Sequence, residues 1–475
     1  MVEKKKANRM TIKRVSSSFR DPNGYVFSHD DIFYRHISTT YKTDYEQLIH
    51  SGLYASLVEQ GLLLPHEDVT EKHPEWCDAT TYKLIRPQQL SFISHPSSWS
   101  FGMLRDAALL TLKIQKIALQ HHLILKDASV YNVQFIGSKP VFIDTLSFKA
   151  YTEGAVWEGY GQFCRHFLAP LSLMAYTDMS LNNLLTIHLD GIPLPLTVKL
   201  LPFKTRFNLS LYLHLHLHAR TQKSYQNKKI NTAKTFMNTQ KLLNINESLI
   251  NLIKKLNKQT ALTEWADYYD TSVSDVYLNN KKQAVKACLA DINPSRVLDL
   301  GANDGVFSRL AAETGADVFA CDVDASCVER FYQQLKKEKN GKITPLIVDI
   351  ANPEPSFGWN NAERPRLLDR LNVDTIMALA LIHHLRISNN TPLSIIAEFF
   401  SFYCPYLIIE FVPKSDDKVQ RLLQNRTDIF DDYTLEGFKT AFAPYFTIQK
   451  TLYFEDNERI LFSMIKKNVS ADYTD

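Results

Sequence analysis

The chain has 475 residues and a net charge of +3, with 45% hydrophobic and 22% charged residues. One hydrophobic core rarely serves a chain of this length, so two or three domains are expected. The near-neutral charge gives no indication of nucleic-acid binding, and no apolar run approaches the roughly 18–20 residues of a membrane span.

The six cysteines are scattered, and no two of them form a Cys-x-x-Cys pair. This spacing argues against a zinc site and against a disulfide framework. The first residues are charged and lack the apolar stretch of a signal peptide. We therefore expect a cytoplasmic protein with no metal site and no membrane partner.

The first 150 residues predict short strands and amphipathic helices, judged from apolar spacing and turn residues. A helix of about twenty residues is followed by two short strands that form a hairpin. The predicted strands are Gly24–Phe27, Ile32–Arg35, Val133–Ile136 and Val141–Ile143, and the predicted helices are Tyr45–Leu64 and Phe101–His121.

A polar motif lies between the long helix and the hairpin. Asp127 and Asn132 form an Asp-x4-Asn pair, and Asp144 follows the hairpin twelve residues later. This order resembles protein and aminoglycoside kinases, in which such residues supply the base and the metal ligands. A chance polar turn is the alternative. Arg35 stands where those kinases carry a phosphate-binding lysine, so the resemblance implies at most a remnant of a nucleotide or metal site.

The remainder of the N-terminal half is predicted to be mostly helical. Its Leu-His-Leu-His-Leu-His run, 213–218, does not predict a metal site, because alternate residues of a helix do not share one face. We place the domain boundary so that residues 1–255 form an α+β, largely helical, kinase-like domain and residues 256–475 form a second domain.

From Arg296 onward, strand-like runs alternate with helices, a pattern typical of βαβ units and a mostly parallel sheet. The last two runs are only a few residues apart and predict an antiparallel hairpin. The predicted strands are Val297–Leu300, Asp317–Cys321, Thr344–Val348, Asp374–Leu381, Tyr406–Phe411, Phe446–Leu452 and Arg459–Ile465.

The segment VLDLGANDGVFSRLA, Val297–Ala311, predicts a strand, a glycine turn and a helix start. Gly301 and Gly305 allow a tight turn and close approach of a ligand. Asp322 ends the second strand, where a carboxylate can accept hydrogen bonds from ribose hydroxyls, and Asp349 ends the third. Asp299, just before the turn, would repel a pyrophosphate, which disfavours the alternative of an NAD-binding domain.

This ordered series resembles the class I S-adenosylmethionine (SAM)-dependent methyltransferases over residues 260–467. The resemblance implies a Rossmann-like, seven-stranded α/β domain with an antiparallel seventh strand and SAM as cofactor. Asn303 departs from the middle glycine of many members. The implied cofactor-binding residues are Asp299, Gly301, Ala302, Asn303, Gly305, Asp322, Val323, Asp349, Ile350 and Leu379.

A methyl acceptor is expected beyond the carboxyl ends of the strands. His383 and His384 follow the fourth strand and Glu410 ends the fifth, so these three are the candidate catalytic residues. The alternative is that one histidine only shapes the pocket, because many methyltransferases need only alignment of acceptor and methyl group.

Two further sets of residues carry weaker expectations. Basic residues after the fifth strand either clamp an anionic acceptor or form a solvated helix face. Aromatic residues before the first strand either cover SAM or pack in the core. The basic set is Lys414, Arg421 and Arg426. The second set is the aromatic residues Trp265, Tyr268, Tyr269 and Tyr277, together with Lys282.

The function predicted from the sequence is methyl transfer from SAM to an oxygen or nitrogen acceptor. A glycan or small molecule is favoured over a protein, and the N-terminal domain presents the acceptor or binds a protein partner. The alternatives are a bifunctional methyltransferase-kinase and a SAM-binding module without catalysis. The arrangement as a whole is also similar to bacterial methyltransferases of the nodulation-protein group, which does not identify the acceptor.

Overall fold

The computed structural model of the protein describes residues 12–220, 236–257, 275–424, 426–454 and 457–467. The N-terminal half of these residues contains a five-stranded sheet and two two-stranded sheets, and the C-terminal half contains a seven-stranded sheet. The strands are β1 Lys13–Arg14, β2 Gly24–His29, β3 Ile32–Ser38, β4 His66–Asp68, β5 Thr81–Pro87, β6 Leu123–Leu125, β7 Val133–Ile136, β8 Lys139–Phe142, β9 Phe148–Ala150, β10 Arg296–Leu300, β11 Asp317–Asp322, β12 Ile343–Ile347, β13 Thr375–Ala378, β14 Tyr406–Phe411, β15 Phe446–Tyr453 and β16 Ile460–Lys466.

Helices dominate the middle of the chain and alternate with strands in its C-terminal part. They are α1 Lys42–His50, α2 Leu53–Glu59, α3 Phe101–Gln120, α4 Tyr160–Phe163, α5 Ala169–Tyr176, α6 Leu184–Ile187, α7 Leu194–Leu200, α8 Leu209–Leu211, α9 Thr239–Lys255, α10 Asp275–Ile292, α11 Val306–Glu313, α12 Ala325–Glu338, α13 Leu367–Leu371, α14 Leu393–Tyr403, α15 Asp417–Leu423 and α16 Leu435–Phe442. No helix of the described residues is both long and apolar enough to cross a membrane.

The N-terminal sheet is antiparallel, with the strand order β1-β2-β3-β5-β4. The sequence predicted β2 and β3 but missed the other three strands, two of which have only two or three residues. The single helix predicted over 45–64 is wrong. Gly52 adopts a left-handed conformation with φ +77°, which ends α1 and starts α2.

The long helix α3 packs against β6, β8 and α9 and matches its prediction closely. Ser100 caps its N-terminus by accepting a hydrogen bond from the amide of Met103. The hairpin β7–β8 follows, and its turn uses Gly137 at φ +59°. Its second strand begins two residues before the predicted start at Val141.

The C-terminal sheet has seven strands in the order β12-β11-β10-β13-β14-β16-β15. The first five strands of that order are parallel, and β16 lies antiparallel to both neighbours. Each predicted strand is present, with bounds shifted by a few residues. The predicted terminal hairpin is confirmed as β15–β16.

The two halves share buried contacts. Glu354, in the segment between β12 and β13, accepts a hydrogen bond from Ser97 Oγ at 2.5 Å and contacts the His95 ring. Arg370 Nη2 lies 2.5 Å from the same carboxylate. Burial alone would raise the pKa of Glu354, but hydrogen bonds from His95 and the charge of Arg370 hold it below its usual value.

Candidate active site

A cavity of about 330 Å³ opens at the carboxyl ends of β10, β11, β12 and β13. Strand-end loops of a doubly wound sheet converge at this position, which is where such folds bind ligands. The structure brings most of the sequence-predicted site residues to its wall, namely Asp299, Gly301, Ala302, Asn303, Asp322, Val323, Asp349, Ile350, Leu379, His383 and His384.

The glycine turn after β10 shapes one side of this cavity. Gly301 has φ +76°, and the nearest atom to a Cβ placed there is Leu381 Cδ1 at 3.9 Å, so its backbone borders open space. Asn303 also has a positive φ, of 49°, a conformation that asparagine tolerates better than most residues. The departure from a middle glycine therefore leaves the turn intact.

Gly305 lies in the glycine turn but does not line the cavity, so its contact with the cofactor stays a prediction. A Cβ at this position would lie 1.8 Å from Phe331 Cζ, and the residue has φ +74°. Gly305 is therefore required for packing of the turn against α12.

The three strand-end acids differ in how they are held. Asp299 is buried and accepts a hydrogen bond from Ser308 Oγ at 2.6 Å, and burial raises its pKa to about 6. Asp322 accepts from the amides of Asn303 at 2.8 Å and Asp324 at 2.9 Å, and burial raises its pKa as well. Asp349 accepts from the amide of Ala351 at 2.9 Å.

His383 and His384 lie side by side at the end of the loop after β13, with ring centroids 4.2 Å apart. His383 is buried, and its Nδ1 has no hydrogen-bond partner among the described residues. Burial lowers the pKa of His383 well below its usual value, and the positive charges of Arg459 and Lys281 act in the same direction. Burial also lowers the pKa of His384. Both rings are therefore neutral near pH 7.

The expectation that Glu410 lies at the acceptor mouth is wrong. Its carboxylate is fully buried behind the cavity wall and lies 2.6 Å from Lys281 Nζ. Tyr277 Oη also donates to it, and Arg459 Nη1 lies 4.0 Å away. Burial would raise the pKa of Glu410, but Lys281 and Arg459 lower it, so it is a counter-ion rather than a proton acceptor.

Sequence reasoning missed Lys281 and Lys418, which both line the cavity. Lys281 is buried on α10, and its Nζ lies 5.0 Å from the Phe307 ring centroid. The sequence had singled out the neighbouring Lys282 instead. Tyr277, Lys281 and Val285 are spaced four residues apart, which places them on the same face of α10, and all three are buried. This spacing was the sequence signal that could have identified Lys281 as a buried residue.

The structure bears in part on the aromatic residues before the first strand and the basic residues after the fifth strand. Trp265, Tyr268 and Tyr269 lie outside the described residues. Lys414 pairs with Asp428 at 2.8 Å, and Arg421 is exposed. Arg426 donates to the carbonyl of Ile387. These contacts favour the solvated-face interpretation over an anion clamp.

A second cavity, of about 700 Å³, lies in the N-terminal half and includes Asp127, Asn132 and Asp144. Arg35 lies 2.7 Å from Asp144 Oδ1 and 3.0 Å from Asp21 Oδ2. Asn132 donates to Ser147 Oγ at 3.1 Å. The residues of the sequence motif thus line one cavity, and Arg35 forms ion pairs with Asp144 and Asp21 there.

No group of three or more His, Cys, Asp or Glu in the described ranges is arranged to hold a metal ion. The alternating histidines are engaged in ordinary hydrogen bonds. His214 bonds Tyr160 Oη at 2.8 Å and Ser248 Oγ at 3.0 Å, and His216 bonds Thr205 Oγ1 at 3.0 Å. The run lies on helical backbone, as the sequence predicted.

The C-terminal domain has the class I SAM-dependent methyltransferase fold, since its parallel strands are completed by an antiparallel seventh strand beside β14. The chain belongs to the NoeA family of nodulation proteins. It is 32% identical over 445 residues to nodulation protein NoeA of Rhizobium meliloti (strain 1021), covering 90% of this chain and 91% of that protein. No protein-family model matches the chain.

Two solved structures each resemble less than half of the chain. N-methyltransferase NodS from Bradyrhizobium japonicum WM9, in complex with S-adenosyl-l-homocysteine, is 13% identical, covering 44% of this chain and 94% of that one, with a TM-score of 0.32. The bifunctional kinase-methyltransferase WbdD is 14% identical, covering 46% of this chain and 45% of that one, with a TM-score of 0.30. The fold assignment stands on the strand order, since these scores are too low to carry it.

The buried position of Glu410 leads to a stability prediction. Glu410→Ala leaves Lys281 buried without its counter-ion, whereas Arg459 keeps its ion pair with Asp416 at 2.8 Å. The substitution should lower the free energy of unfolding by about 3–5 kcal/mol. Chemical denaturation of the full chain measures this. Glu436→Ala is the control, because Glu436 is 81% exposed and should change stability by about 0.5 kcal/mol or less. A Glu410→Ala protein as stable as the wild type would contradict the counter-ion role.

Proposed function

We propose that this protein is a SAM-dependent methyltransferase that methylates an oxygen or nitrogen atom of its acceptor. The observation that carries the proposal is the convergence of Asp299, Asp322 and Asp349 with the glycine turn on one cavity. A volume of about 330 Å³ lies in the range of roughly 300–1,000 Å³ typical of small-molecule sites.

The residues of the cavity suit the chemical groups of SAM. Asp299, buried beside the turn, matches the cationic amino-acid end, and Asp322 can accept from the ribose hydroxyls. Asp349 can accept from the adenine amino group, with Ile350 and Leu379 offering apolar contact to the ring. The open space beside Gly301 accommodates a ligand against the backbone. A dinucleotide pyrophosphate bound at the turn would instead meet the carboxylate of Asp299.

Acceptor activation is assigned to the histidine pair. SAM supplies a methyl group already activated on a positively charged sulfur. A hydroxyl acceptor must still lose a proton, and His383 is a neutral imidazole with an unengaged buried Nδ1. His384, beside it in the cavity wall, is the second candidate. A nitrogen acceptor that carries a lone pair needs only alignment.

The acceptor is proposed to be a glycan or a small molecule presented by the N-terminal domain, with a protein acceptor as the alternative. A test is incubation of the full chain and cell extract with methyl-labelled SAM, followed by separation of protein, glycan, RNA and small-molecule fractions. Label in the glycan or small-molecule fraction supports the proposal. SAM binding without transfer to any fraction favours a SAM-binding module that lacks catalysis.

Asp322 provides the sharpest test of the cofactor. Asp322→Ala should weaken SAM binding by about 1.5–3 kcal/mol, the range for hydrogen bonds to a charged group. Calorimetry measures this loss, and Asp322→Asn should lose less because it keeps one acceptor for the Asn303 amide. Asp317→Ala, at the opposite end of β11, is the matched control. Unchanged affinity of Asp322→Ala, or wild-type binding of NAD and not SAM, would contradict the assignment.

Histidine substitutions should affect turnover rather than SAM affinity. His383→Ala or His384→Ala should slow methylation of a hydroxyl acceptor by about 10²–10⁴-fold, the usual contribution of a general base. Because the pKa of His383 is lowered, its base form persists as pH falls, so the wild-type rate should decline only below pH 6.5, the ordinary histidine pKa. His50→Ala, on the exposed end of α1, is the control. If neither substitution slows turnover, both residues are structural.

We further propose that the N-terminal domain is kinase-like in arrangement but does not transfer phosphate efficiently. The phosphate-binding position is occupied by Arg35, whose guanidinium already pairs with Asp144 and Asp21. Asp144 also bonds Ser147 and the amide of Leu146, so it is engaged as a structural acid. The planar guanidinium group of an arginine is also a poor replacement for the compact ammonium group with which a lysine binds phosphate.

An ATPase and autophosphorylation assay with magnesium and with manganese tests this. We expect turnover well below about one per second, the low end for kinases. Asp144→Ala serves as the control. Turnover at or above that rate that disappears in Asp144→Ala would establish the bifunctional methyltransferase-kinase instead.

A further inference from the structure

An apolar patch lies exposed on the helical part of the N-terminal half. It consists of Phe203, Phe207, Leu209, Leu213 and Leu217, with exposed fractions of 65%, 79%, 71%, 45% and 40%. The two phenylalanine rings lie 5.6 Å apart on one 3-10 turn, and the three leucines recur every four residues along the next helical segment. Large apolar side chains grouped in this way typically mark an interaction surface.

The charged residues of the sequence segment that contains this apolar patch are all of one sign. Residues 191–246 contain nine Lys and Arg and no Asp or Glu, whereas the other 45 Lys and Arg of the chain are outnumbered by 51 Asp and Glu. Lys199, Lys204 and Arg206 are exposed beside the patch. In the described ranges no carboxylate pairs with any of these three side chains, and Arg206 stacks over the Phe203 ring at 4.9 Å.

We propose that the apolar patch and its basic rim bind the surface of an anionic lipid bilayer. Phenylalanine and leucine side chains enter the boundary between headgroups and acyl chains, and lysine and arginine lie at the anionic headgroups. This site is separate from the proposed methyltransferase cavity and does not depend on it. It also revises the expectation of no membrane partner, which considered only spanning segments.

The single sign of charge distinguishes the bilayer from other occupants. A symmetric dimer would place the same patch against itself and bring the basic rims of both copies together, which is repulsive. A protein partner normally meets a rim of mixed polar groups. The surface of an anionic bilayer carries negative charge throughout, so it complements a rim that carries only cations.

Vesicle sedimentation with the full chain tests the proposal. Wild-type protein should sediment with vesicles of phosphatidylcholine mixed with phosphatidylglycerol, and much less with phosphatidylcholine alone. Raising the salt concentration should weaken binding, because the rim charges are screened. The double variants F203S/F207S and K204E/R206E should each bind the mixed vesicles about tenfold or more weakly.

Phe402→Ser is the matched control, since Phe402 is a phenylalanine 69% exposed on the C-terminal domain. It should bind vesicles as the wild type does, and all variants should keep the wild-type melting temperature. The proposal is overturned if wild type fails to bind the mixed vesicles, or if F203S/F207S binds them equally well. Concentration-dependent dimerisation that F203S/F207S abolishes, with no vesicle binding, would assign the patch to self-association.

Discussion

The buried carboxylate of Glu354 holds the two halves of the protein together. It contacts His95 and Ser97 of the N-terminal half and Arg370 of its own domain. Burial lowers the pKa of His95 to about 4, so its ring is neutral and Arg370 is the counter-ion. Removing one member of such a cluster leaves a buried charge uncompensated, which costs more than the intact pair contributes. This cluster therefore fixes one buried point of the interface between the halves.

The C-terminal sheet was predictable because alternating strands and helices, glycines and strand-end acids all point to one topology. The N-terminal sheet was not, because β1 and β4 are too short to show a period and β5 lacks clear alternation. The predicted helix over 45–64 had continuous apolar spacing. Its break at Gly52 depends on a backbone conformation that spacing does not reveal.

Glu410 shows why position along a strand does not determine what a side chain faces. β14 continues to Phe411, and Glu410 pairs in register with Leu461 of β16, so it lies within the sheet. Its side chain therefore meets α10, where Lys281 and Tyr277 supply its partners. Lysine is rarely buried unless it is paired, so without Glu410 as its evident partner there was no reason in the sequence to single out Lys281.

One segment of chain borders both cavities. Ile350 and Ala351 line the C-terminal cavity, and Glu363 and Arg364 line the N-terminal one. Between them Glu354 is fixed by the buried cluster, and Glu363 is held by Arg20 at 2.7 Å. Polar contacts to the N-terminal half thus hold this short segment at two points. Independent movement of the two halves would have to break both contacts, and a fixed position of this kind is what the proposed role of the N-terminal domain in presenting the acceptor requires.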